Sequence, residues 1–181
     1  TATGPLPKGG YEKGRYDDLR NGLVGSMLNV TGVKNVSALQ KIAVEETRLG
    51  IPLIFGFDVI HGYKTISPIP LAESASWDIK AIEKSARIAA EEAAASGLNW
   101  TFAPMVDIYR DARWGRVMEG AGEDTYLGSV IAAARVNGFQ GENLSDFSTI
   151  AACAKHFAAY GFPEAGSCLL YTSPSPRDVE E

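Results

Sequence analysis

The 181-residue chain has only two cysteines, Cys153 and Cys168, and two histidines, His61 and His156. Two thiols cannot build a disulfide scaffold, and no cluster with metal-ligand spacing stands out. No apolar run approaches the roughly 18 residues of a membrane helix, so no membrane partner is expected. A basic excess is also missing: 17 Lys+Arg against 22 Asp+Glu give a net charge of −5. Phosphate binding needs a basic face, so a nucleic-acid partner is not expected. The opening, Thr1-Ala2-Thr3-Gly4, has no Met, basic stretch or apolar stretch, and no signal peptide is read in it. What remains is a globular composition, 45% hydrophobic and 22% charged. It is long enough for one ordinary domain with a real core.

Apolar runs and amphipathic stretches alternate along that domain. Residues 21–29 read as a short buried strand. Residues 36–48 predict a helix, with Leu39, Ile42, Ala43 and Glu46 on one stripe and Ser37 and Gln40 placed for a capping box. Gly50 ends it and Pro52 prevents continuation. Leu53 to Phe57 is a continuous apolar run, expected as a strand buried on both faces. A second helix spans about Asp78 to Ser96, capped by Asp78, lined inward by Ile79, Ile82, Ala86, Ala89, Ala90 and Ala93, and left through Gly97. Trp100 to Val106 predicts a third strand. Thr125 to Gln140 predicts a third helix, with Glu123 and Asp124 at its positive end, and Ile150 to Lys155 a fourth strand. Strand and helix in alternation mean an α/β domain with a parallel sheet. Both an open doubly wound sheet and part of a (β/α)8 barrel satisfy the pattern. Residues 1–20 are expected as an N-terminal extension and 21–166 as the domain. The Ser/Pro-rich residues 167–181 have neither helical nor strand period and read as a disordered or artefactual tail.

Each apolar run ends in polar residues on its C-terminal side, where parallel β/α folds build their sites. Asp58 follows the second strand. It is either a cap for the next turn or a carboxylate that accepts two hydroxyls of one sugar ring. His61 reads as a supporting imidazole rather than a catalyst. Arg110, Asp111, Arg113, Trp114 and Arg116 crowd the loop after the third strand. There a salt-bridge network competes with one arginine reaching a ligand, and Trp114 reads as loop core. Gly120 to Glu123 lacks the Lys-Ser/Thr ending of a phosphate loop. Lys155 and His156 end the fourth strand. Adjacent residues on an extended chain point to opposite sides, so the backbone must depart from that path for both to face one ligand.

Five motifs stand together: Phe57-Asp58-Val59-Ile60-His61-Gly62, Ala103 to Asp107, Arg113-Trp114-Gly115-Arg116, Glu119 to Asp124, and Ala154-Lys155-His156-Phe157 through Gly161. In this order, over about residues 20–166, the chain resembles glycoside hydrolase family three, and more narrowly its β-glucosidase branch. The resemblance implies a (β/α)8-like barrel, of which the chain carries about the first four β/α units. It implies retaining removal of terminal β-glucosyl units without cofactor or metal. It implies that Asp58, Arg116, Lys155 and His156 bind the sugar, with a non-proline cis peptide around the Lys-His-Phe segment. Ala158-Ala159-Tyr160 stands where the N-acetylglucosaminidase branch has Pro-Gly-His. The partner is then a β-glucoside or oligosaccharide, and the setting periplasmic or secreted.

Retaining hydrolysis also needs a nucleophile and an acid/base carboxyl about 5–5.5 Å apart. The family takes its nucleophile from a Ser-Asp motif past the Lys-His pair and its acid/base from a second domain. Neither is found in the chain, so no catalytic residue is assigned and the expectation is a fragment that binds sugar without hydrolysing it. A non-catalytic carbohydrate-binding module is the alternative. A nucleotide-dependent α/β enzyme is disfavoured, because no Gly-x-Gly-x-x-Gly follows a strand.

Overall fold

A computed structural model of the chain describes residues 11–162. The tail reading for 167–181 lies outside them. The elements are α1 (Tyr11–Arg20), β1 (Ser26–Leu28), α2 (Val33–Lys41), β2 (Ile54–Phe57), α3 (Pro70–Ala75), α4 (Ile79–Ala94), β3 (Trp100–Thr101) and α5 (Thr125–Gln140). A π-helical turn, Ile42–Glu46, extends α2, and a 3₁₀ turn, Val117–Glu119, precedes α5. The three strands pair in parallel in the order β1-β2-β3, with Met27 beside Phe55 and Gly56 beside Trp100.

The α/β class and the parallel sheet are as expected; several boundaries are not. The first strand is shorter than residues 21–29. The third shrinks to Trp100–Thr101, and the fourth exists as two parallel bridges, Trp100 with Ala151 and Met105 with Lys155. Segment 151–155 still runs hydrogen-bonded along segment 99–106, through Thr101 N to Ala151 O, Cys153 N to Ala103 O and Val106 N to Lys155 O. Pro104 interrupts the ladder because it has no N–H to give. Residues 11–20, expected to precede the domain, form α1, whose Leu19 is fully buried in the core.

Helix α2 starts at Val33, three residues before the predicted 36, with Gly32 as its cap position. Ser37 and Gln40 therefore form no capping box. The Gln40 amide instead turns to the chain entering β2, donating to Leu53 O at 3.1 Å and accepting from Leu53 N at 2.6 Å. The amide satisfies both Leu53 backbone groups just before the ladder begins.

Helix α4 follows its sequence closely. Asp78 accepts from Ala81 N at 3.0 Å, and Ile82, Ala86, Ala89, Ala90 and Ala93 are buried. Gly97 leaves it at φ 88°, a conformation that glycine enters without steric cost. Asp124 caps α5 in the same way, through Leu127 N at 2.7 Å. The two helices pack on each other with Gly138 of α5 against the α4 backbone. The core gathers Leu53 and Phe55 of the β2 segment with Leu19, Phe139 and Ile150. Burial of β2 on both faces does not hold throughout: Phe55 is buried but Ile54 is 49% exposed. Side chains alternate along a strand, and the core meets β2 on the Phe55 side.

Candidate functional site

The segments that leave the C-terminal ends of the strands converge. A cleft of about 470 Å³ is lined by Asp58, Ile60, His61, Gly62, Arg116, Met118, Glu119 and Lys155. Three chain regions distant in sequence thus line one cleft. Among the described residues Asp58 accepts no capping hydrogen bond; Lys155 Nζ lies 3.6 Å from its Oδ1. The Asp58 side chain is 55% exposed and that of Lys155 18%, so an acceptor and a donor stand side by side at the rim. The Lys155–His156 peptide is cis, as the resemblance implied.

His156 follows Lys155 but is not among the residues that line the cleft; its side chain is 32% exposed. Its backbone N–H donates to Asp107 Oδ2 at 3.0 Å, and its Nδ1 lies 2.8 Å from the same oxygen. The Asp107 side chain is nearly buried. Tyr160 packs edge-on against His156 at 4.3 Å between ring centres and against Trp114 at 5.3 Å. Trp114 is buried, so it is loop core, as read from the sequence. Arg113 binds Asp111 locally, and Arg110 stacks over Phe162 at 3.9 Å. Neither of these arginines lines the cleft.

Arg116 is the arginine that reaches the cleft. Its Nε and Nη2 bind the two oxygens of Glu119 at 2.7 and 2.6 Å, and Nη1 donates to Tyr160 Oη at 3.3 Å. A guanidinium has further N–H groups beyond these. The bidentate bond to Glu119 raises the Arg116 pKa. The same bond, with the charges of Arg116, Lys155 and His156, holds the Glu119 carboxyl below its ordinary value of 4.5 against the opposing effect of burial. Glu119 enters the sequence reading as the first residue of the Glu119 to Asp124 motif, without a role at the site. Its signal was the (i, i+3) spacing from Arg116, which on one helical turn places the two side chains together.

The Glu119 shift has a pH consequence. A carboxyl whose pKa falls on folding adds stability that is present above the unfolded value and is lost as pH drops through the folded one. Glu119→Gln is expected to melt below the parent at neutral pH, with the gap closing as pH falls beneath about 4.5. Melting curves across acid pH check this; a gap constant with pH contradicts it.

His61 also lines the cleft, and its Nδ1 is buried without a hydrogen-bond partner among the described residues. Among those residues no group of three or more His, Cys, Asp or Glu could hold a metal ion, and no helix is long and apolar enough to cross a membrane.

The family model for the glycosyl hydrolase family 3 N terminal domain matches residues 10–180. The chain belongs to glycosyl hydrolase family 3. It is 43% identical over 148 residues to a periplasmic beta-glucosidase of Salmonella typhimurium, a match covering 82% of this chain and 19% of that one. It is 35% identical over 160 residues to a beta-xylosidase of Formosa agariphila, covering 82% and 22%. The crystal structure of a beta-glucosidase from Listeria innocua in complex with glucose superposes with a TM-score of 0.71 at 48% identity, covering 76% of this chain and 19% of that one. The chain therefore spans about a fifth of the length of these family 3 relatives.

Proposed function

We propose that this family 3 chain carries the glucose-holding part of a β-glucosidase site, on an arc of a (β/α)8 barrel. The convergence of Asp58, Arg116 and Lys155 on one cleft carries this reading. In it Asp58 accepts two hydroxyls of a terminal glucosyl ring. Arg116, Lys155 and His156 donate to others, His156 being oriented by Asp107. The relative crystallised with glucose supports a sugar as the occupant, and the periplasmic relative supports work outside the cytoplasm.

The chain in this reading binds without hydrolysing. A retaining mechanism needs one carboxyl protonated at the start and another free as nucleophile. Of the cleft carboxylates, Glu119 is clamped by Arg116 and held ionised, which is wrong for an acid, and Asp58 is paired with Lys155. The β-xylosidase relatives support a second occupant, xylose, which lacks only the exocyclic hydroxymethyl group.

Calorimetric titration of the 181-residue chain with glucose and with xylose tests this, beside an assay for aglycone release from an aryl β-glucoside. Saturable glucose binding with no release is expected. Tighter xylose binding moves the assignment to the pentose, absence of binding to either sugar removes it, and saturable release overturns the claim that hydrolysis is absent.

A further inference from the structure

Behind the cleft lies a polar cluster that the sugar-binding reading does not use. Arg135 of α5 and Glu73 of α3 form a buried ion pair, Nη1 to Oε2 at 2.6 Å, with side chains 6% and 7% exposed. Desolvation pushes the Arg135 pKa down, while Glu73 opposes that. The second guanidinium nitrogen of Arg135, Nη2, donates to the backbone carbonyl of Ile60. Ile60 sits in the chain between Asp58 and His61, both of which line the cleft. The other Glu73 oxygen accepts from Ser85 Oγ at 2.6 Å, and Ser85 Oγ lies 2.9 Å from Ser67 Oγ. Ser85 has one hydroxyl hydrogen, which goes to the carboxylate, so Ser67 donates to Ser85. The cluster thus grips the segment from Asp58 to Ser67 at two points.

Stability does not account for such a cluster. Desolvating two charges offsets most of their attraction, and well-packed apolar residues often stabilise as much or more. What apolar residues cannot do is donate to the Ile60 carbonyl. We propose that Arg135, held by Glu73, is a positioning residue that fixes the Asp58–His61 segment against the cleft. Its effect on sugar affinity rests on the sugar-binding reading; its effect on the order of the segment does not.

Two variants of the full chain test it. Arg135→Lys keeps a charge for Glu73 but replaces two fork nitrogens with one. The double variant Glu73→Met with Arg135→Met removes the cluster without leaving a lone buried charge. The readouts are hydrogen exchange at the Val59 and Ser67 amides, which donate to Thr101 Oγ1 and His61 O, and calorimetric glucose affinity. In each folded variant, exchange at those two amides is expected to rise about tenfold while α4 and α5 keep their protection, with glucose affinity about tenfold weaker. Should the double variant fail to fold, Arg135→Lys decides alone. Unchanged exchange at both amides, or acceleration spread evenly over α4 and α5, overturns the proposal. Where the parent chain itself binds no glucose, the sugar reading fails, and the exchange data alone decide whether Arg135 orders the segment.

Discussion

Gly138→Val is expected to leave the chain largely unfolded, and Gly138→Ala to be clearly destabilised, although alanine is the better helix former. A Cβ built on Gly138 falls 2.4 Å from Glu83 O, 2.7 Å from Ala86 Cβ and 3.1 Å from Arg87 N. The nearest obstacle is α4 backbone, which cannot swing aside as a side-chain tip can. Relief requires α4 and α5 to separate, along a seam whose Ala86, Ile131 and Phe139 are buried. Overpacking of this kind costs about 1–3 kcal/mol for a methyl and more for a branched side chain. The propensity gain from replacing glycine by alanine, about 1 kcal/mol, does not cover that. Gly128 on the same helix supplies the control. Among the described residues its Cβ would meet only Ile108 Cδ1, at 3.2 Å, the far end of a flexible side chain. Gly128→Ala should therefore melt at or above the parent. Thermal melts of the variants check the contrast, and a Gly138→Ala chain that melts no lower than the parent contradicts the packing argument.

The same helix pair shows why some of the structure was legible in the sequence and some was not. Helix α4 announces itself through local signals, a capping Asp78, a stripe of alanines and an exit at Gly97, all within 20 residues of each other. The helix-helix seam, the Glu73–Arg135 pair and the Asp107 contact to His156 join residues 49 or more apart. No local pattern encodes such a pairing, since a glutamate on a short helix reads as solvated until its partner is known. Helix α3 has only six residues, too few for periodicity to register, though Pro70 at its first position was a usable sign. Gln40 departs from its sequence expectation for a related reason: a spacing that fits a capping box competes with a backbone partner 13 residues away. The segments that carry the candidate site residues were easier to place, because topology does the long-range work. In a parallel α/β fold, the polar residue that follows each apolar run arrives at the same end of the sheet. The segments that carry Asp58, Arg116 and Lys155 are thereby brought to one end of the sheet, while the choice of Arg116 among the arginines of its loop rests on the family resemblance. His156 could be brought to the neighbourhood but not oriented, because Asp107 fixes its ring from another strand segment.

Asp58→Ala is expected to weaken glucose binding about 100-fold while hardly moving the melting temperature. In the proposed complex the carboxylate accepts two sugar hydroxyls. Hydrogen bonds to a charged group contribute about 1.5–3 kcal/mol each, so losing both removes at least about 3 kcal/mol, or two powers of ten in affinity. Asp58→Asn retains one acceptor of similar shape and should lose about tenfold. The folded chain depends little on this side chain. Its described partner is Lys155 at 3.6 Å, and the Asp58 side chain is 55% exposed, a setting in which an ion pair contributes about 1 kcal/mol or less. Affinity and stability should therefore separate at Asp58, whereas at Gly138 stability fails first. Arg113→Ala is the matched comparison: it too removes a charge from a loop near the strand ends, but Arg113 binds Asp111 and stays off the cleft wall. Glucose affinity should be unchanged there. Equal losses at Asp58 and Arg113 would mean that the loops respond to charge in general. A loss confined to Asp58 means that the carboxylate at the end of β2 itself meets the sugar.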